Sequence, residues 1–154
     1  MGYYADIYAI KRMRSTELGV QFLERFLPER AETFSTYQLP RFGRDVTFQC
    51  NSALELMNFL EKHEYEHHAI YWRNLDKTHA NRFGMIFYTP DGCMIFGLSR
   101  NHDHLEEEGL QEMFDFLDTD EGYITYECPP EDTYEDFLKV MHGNVKVLQP
   151  ALAS

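Results

Sequence analysis

The sequence predicts a single α+β domain with a mixed, mostly antiparallel sheet and about four helices in the order β α β α β β β α β α. Three observations carry that reading. The chain has 154 residues, close to the usual size of one domain. Its content of 44% hydrophobic and 15% aromatic residues suffices for one sizeable core and excludes disordered, collagenous and disulfide-stapled classes. A hairpin signal lies mid-chain, Thr89-Pro90-Asp91-Gly92 between two apolar runs, and it demands antiparallel pairing that no doubly wound sheet supplies throughout. The domain is expected to span 1–154, with about 143–154 as a loosely held tail.

Taken in order, Tyr3 to Ile10 reads as a strand because aromatic and β-branched residues fill it without a breaker. Ser15 offers an N-cap to a first helix whose Phe22, Leu23, Phe26 and Leu27 recur at helical spacing until Pro28. Residues 29–44 show no sustained period and read as a long surface loop before a short strand at Val46 to Cys50. Ser52 and Glu55 have capping-box spacing, opening a second helix with Ala53, Leu56, Met57 and Leu60 inward, to about Lys62. His68 to Trp72 follows as a strand. The hairpin then pairs Phe83 to Tyr88 with Cys93 to Leu98, with Gly92 taking the positive φ and Asp91 expected to be exchangeable. A third helix carries Leu110, Met113, Phe114 and Leu117. Tyr123 to Glu127 is a strand, and Thr133 caps a fourth helix with Tyr134, Phe137, Leu138 and Met141 inward.

One string matches a metal motif. His63-Glu64-Tyr65-Glu66-His67 is H-E-x-x-H, in which two histidines one helical turn apart hold zinc while the glutamate activates water. A zincin helix is buried beside its metal, whereas Glu61, Lys62 and Glu66 crowd this string with charge. The second helix is also expected to stop here, which would separate the two imidazoles. No third ligand is specified, His102 and His104 being two of many nominees. The expectation is therefore no metal and no cofactor, with a zinc-dependent hydrolase using His63, Glu64 and His67 as the alternative. Asp118 to Gly122 opens like a calcium loop, but its glycine falls one position early and Pro129 stands where the bidentate glutamate belongs. Phosphate-binding loops and the G-x-S-x-G elbow have no match in the chain, so the balance leans away from an enzyme. Cys50, Cys93 and Cys128 form no CxxC pair, and Cys50 is expected to be a buried thiol at a strand end. A third possibility is a ligand pocket lined by Tyr71, Trp72, Phe87 and Tyr88, although strand aromatics more often serve the core.

Charge is the most informative feature. Residues 1–100 hold twelve acids and twelve Lys or Arg, whereas 101–154 hold fourteen acids against Lys139 and Lys146, so the whole net charge of −12 is C-terminal. Glu106, Glu107, Glu108, Glu112 and Asp115 on the third helix, with Asp118, Asp120 and Glu121 in the turn after it, are the candidate partner-binding residues. Such a field repels nucleic acid as a direct ligand and attracts a basic protein. With no apolar run long enough to span a bilayer and no secretory pattern at the start, a cytoplasmic protein outside the membrane is expected. Oligomeric state is not legible.

The segments IYWRNLDKTHANRFGMIFYTPDGCMIFGLS and GYITYECPPEDTYEDFLKVM, in a small acidic α+β chain without a catalytic motif, resemble the immunity-type proteins that bacteria make against their own polymorphic toxins. That class resemblance implies a stoichiometric protein partner, in its concrete form a basic toxin nuclease that the chain would occlude. It fixes no binding residue.

Overall fold

A computed structural model describes residues 4–101 and 105–143. Of the tail expected at about 143–154, residues 144–154 lie outside the described residues, as do Tyr3 of the expected first strand and the histidines His102 and His104. Eight strands and four helices follow one another as β1 (Tyr4–Lys11), α1 (Thr16–Phe26), β2 (Arg30–Glu32), β3 (Tyr37–Leu39), β4 (Phe48–Cys50), α2 (Ala53–Lys62), β5 (His68–Asn74), β6 (Asn81–Tyr88), β7 (Met94–Asn101), α3 (Glu106–Leu117), β8 (Gly122–Tyr126) and α4 (Tyr134–Gly143). Six strands form the main sheet in the order β2-β5-β6-β7-β1-β8, and β3 with β4 makes a separate two-stranded ribbon. All described pairings are antiparallel. The loop expected at 29–44 thus contains two three-residue strands. β2 pairs with β5, some forty residues further along the chain, and so short a segment with so distant a partner has no period of its own.

Pleating sorts the strand residues onto two faces. Ala5, Ile7 and Ala9 of β1, Ile70 and Trp72 of β5, Ile86 and Tyr88 of β6, Phe96 and Leu98 of β7 and Ile124 of β8 pack beneath α1, α2 and α3. Tyr8, Ile10, Met85, Ile95 and Tyr123 point the other way, where Phe137 and Met141 of α4 cover only part of the surface. The helix ends follow local chemistry. Leu18 N–H donates to Ser15 Oγ at 3.1 Å, Glu55 N–H to Ser52 Oγ at 3.2 Å and Asp136 N–H to Thr133 Oγ1 at 3.2 Å. The capping box at Ser52 is half formed, because the Glu55 carboxylate accepts the Ser52 hydroxyl at 3.3 Å in place of the Ser52 N–H; the neighbouring Ala53 N–H donates to Glu32 at 2.9 Å.

Two buried guanidinium groups tie the ends of the sheet to the helices. Arg14 donates from Nη1 to the carbonyls of Leu60 (2.6 Å) and His63 (2.7 Å), and from Nη2 to those of Glu66 and Thr89 (both 2.6 Å). At the opposite end Arg100 donates to Asn81 Oδ1 (2.6 Å), the Leu105 carbonyl (3.1 Å) and Glu112 (3.0 Å). In the hairpin, Gly92 has φ 90° and its N–H reaches the Thr89 carbonyl at 3.1 Å. Asp91 differs from expectation. Its carboxylate accepts the first N–H of α4 from Tyr134 at 2.9 Å and also meets the Thr89 hydroxyl, so it docks a helix N-terminus onto the hairpin and is not freely exchangeable.

Candidate functional site

The H-E-x-x-H string does not lie on one helix. α2 ends at Lys62, His63 is its C-cap at φ −125°, and Glu66 N–H closes a turn onto the His63 carbonyl at 3.0 Å before β5 begins at His68. The His63 ring stacks on Phe59 at 3.8 Å with 9° between planes, its Nδ1 facing the Phe59 carbonyl at 2.7 Å. Carbonyls of this turn converge on the Arg14 guanidinium, which fixes a positive charge inside it. Among the described residues no three His, Cys, Asp or Glu side chains are gathered as a metal would need.

The acidic segment divides into residues buried or bonded within the fold and residues exposed at its surface. Glu106 is buried, and Glu112 is the counter-ion of Arg100 at 3.0 Å and of Arg25 at 3.8 Å, so these two candidates serve the fold. Glu121 accepts the Tyr134 hydroxyl at 2.8 and 2.9 Å. Glu106, Glu107 and Glu108 form the first turn of α3, a helix whose N-cap Leu105 supplies no side-chain bond, and carboxylates there offset the exposed N–H groups and helix dipole. Asp118 closes α3 in the left-handed region at φ 54°, which asparagine, aspartate and glycine tolerate best. Glu107, Glu108, Asp115, Asp118 and Asp120 are exposed, as are Glu127, Glu131, Asp132, Glu135 and Asp136. They do not share one face. α3 packs on β1 and β8 from one side of the sheet and α4 packs on β8 from the other, so the carboxylates flank the edge strand β8 on both sides. Among described residues β8 pairs only with β1.

On the sheet face that α4 leaves partly open is a cleft of about 320 Å³ lined by aromatic and acidic side chains. Strand alternation decides which aromatics reach it. Tyr71 and Phe87 do, whereas their neighbours Trp72 and Tyr88 are buried on the helix side. Tyr8 crosses the cleft floor over its cross-strand partner Gly97, where a Cβ would stand 2.8 Å from Tyr8 Cε1. Asp6, beside Tyr8 on the same face, is only 8% exposed. Burial holds its carboxyl above the usual range, against hydrogen bonds from the Ser99 hydroxyl and the Cys128 and Glu127 amides. The Tyr8 hydroxyl donates to the Cys128 carbonyl at 2.7 Å, and Glu127 takes φ 55° to form this corner. Burial drives the Tyr8 pKa upward and that of Tyr123 to about 12, so both phenols stay neutral, and the Tyr123 hydroxyl accepts the Glu131 N–H at 3.2 Å.

Asp6 and Ser99 are what sequence reasoning missed. The available signal was a lone carboxylate inside the apolar run YADIYAI, since a charge mid-strand in a core strand requires partners. The thiols divide similarly. Burial pushes Cys50 and Cys93 up, while Cys128 is exposed at the cleft. A second groove of about 520 Å³ between α1 and α2 contains Glu32, but that carboxylate is already bonded to Tyr37 Oη and Ala53 N–H, both at 2.9 Å. No helix among the described residues is long and apolar enough to cross a membrane. Comparison of the chain with protein-family models, curated proteins and solved structures finds no match.

Proposed function

We propose that the chain is a protein-binding domain that docks a basic partner along the β8 edge, acting in its concrete form as an immunity-type inhibitor that occludes a toxin such as a nuclease. The supporting observation is the placement of ten exposed carboxylates around β8 from both sides of the sheet, in a stretch (105–143) whose one lysine or arginine, Lys139, already pairs with Glu135 and Asp136. A field of one sign accelerates encounter with an oppositely charged surface and disfavours other partners. Occlusion then consists of carboxylates pairing with the Lys and Arg side chains that the partner offers to its own substrate.

Capture on the immobilised chain at low ionic strength tests this when run beside Asp115→Lys/Asp120→Lys/Glu131→Lys, three exposed carboxylates that bond neither Arg100 nor the α3 N-terminus. A stoichiometric basic partner held by the wild type, released by salt and lost in the variant is the expected result. A partner retained equally by both would end the reading.

A further inference from the structure

We propose that the cleft over β5, β6, β7 and β1 is a binding site for an alkylated ammonium ion, with Tyr8, Tyr71 and Phe87 as aromatic walls and Asp6 as the counter-charge. The inference is independent of the docking edge. A volume of about 320 Å³ lies at the small end of ligand cavities and suits one compact organic group. Its rings stand at steep angles to one another. Tyr8 and Phe87 meet at 6.0 Å and 80°, and Tyr71 and Phe87 at 5.8 Å and 89°, so successive walls turn through nearly a right angle. Tyr8, Tyr71 and Phe87 all line the cleft, and aromatic rings attract a nearby cation through their quadrupoles.

The charge of the cleft points the same way. Asp6 at its floor and Glu127 at its rim are the ionisable acids of the lining, and no Lys or Arg is among the lining residues described. Arg41 approaches from outside, its guanidinium 5.8 Å from the Tyr71 ring, which shows that ring already receiving a cation. Among the described residues no Lys, Arg or His forms an ion pair with Asp6, so its desolvated charge lacks a counter-ion. Asp6 also discriminates between cations, because so buried a carboxylate offers a guanidinium no open approach for two parallel hydrogen bonds. An alkylated ammonium needs only field and π-faces, and its alkyl groups fill space against Met85 and the rings.

The test is amide NMR of the full chain titrated with choline and, separately, with 3,3-dimethyl-1-butanol, a neutral molecule of the same shape. Saturable shifts at Asp6, Ser99, Glu127 and Cys128, with choline binding about tenfold or more tighter than the alcohol, are expected. Ethanolamine, which lacks the methyl groups, should bind more weakly than choline. Asp6→Asn should reduce choline to the level of the alcohol, and Tyr71→Leu should weaken choline severalfold with the fold retained. Should Asp6→Asn fail to fold because the 127–128 corner is lost, the wild-type comparison and Tyr71→Leu still decide. Equal affinity for choline and the alcohol, or cleft amides that do not move at about 50 mM choline, would overturn the proposal.

Discussion

Replacing Arg14 by methionine keeps the apolar stem and deletes a guanidinium that makes four hydrogen bonds of 2.6 to 2.7 Å to carbonyls of α2, the turn after it and the hairpin. Bonds to a charged group contribute about 1.5–3 kcal/mol each, so the gross loss is about 6–12 kcal/mol. Two effects reduce it. The buried cation had itself been costly to desolvate, by several kcal/mol. The Leu60, His63 and Thr89 carbonyls also keep backbone donors, from His63, Glu66 and Gly92, and so are not orphaned. The net destabilisation is then about 3–4 kcal/mol, which for a domain of this size lowers Tm by roughly 10 °C. Urea unfolding of wild type, Arg14→Met and Arg14→Lys measures it. Lysine should restore less than about half, because one ammonium with three donors cannot span four converging carbonyls. A loss below about 1 kcal/mol for Arg14→Met would refute the view that this clamp joins α2 to the hairpin.

Gly92→Val should destabilise by about 1 kcal/mol or more because φ is 90° there. Asp91→Ser should cost a comparable amount, since it releases the α4 N-terminus; urea midpoints that leave Asp91→Ser unchanged would show that this bond contributes nothing. Gly97→Ala should cost about 1–3 kcal/mol, because Tyr8 cannot retreat from the new Cβ while its hydroxyl holds Cys128; an unchanged urea midpoint would contradict this. His68 is buried, accepts the Ala69 N–H at Nδ1 (2.8 Å) and faces the Gln38 carbonyl through Nε2 (3.0 Å), and burial lowers its pKa. Its neutral form is therefore favoured by folding, and the stability it contributes above the ordinary histidine value of about 6.5 is lost as pH falls below that value. Denaturation midpoints between about pH 7 and 5 should fall less steeply in His68→Gln than in the wild type.

Elements with a local cause were legible. Ser15, Ser52 and Thr133 announced three helices, and the turn chemistry at Pro90 and Gly92 announced the central hairpin. The missed parts depend on distant partners. β2 exists because β5 offers it an edge, and Asp91 is constrained by α4, which begins about forty residues later. The acidic segment shows the same limit, since sequence could count its charges but not assign Glu112 to Arg100 or place α3 and α4 on opposite sheet faces. The cleft was half visible. Tyr71 and Phe87 could be nominated, but Asp6 became notable only once Ser99 and the 127–128 corner were seen around it.

The docking edge is tested most directly by stopped-flow association of the captured partner with wild type and with Asp115→Lys/Asp120→Lys/Glu131→Lys, at two ionic strengths and with circular dichroism to verify folding. Screening weakens long-range steering before it weakens close contacts. If the carboxylates around β8 guide the partner in, the variant should associate about tenfold more slowly at low salt and approach the wild-type rate at high salt. Equal rates at both ionic strengths with a folded variant would contradict a docking role and leave the carboxylates as a solvated guard around an edge strand.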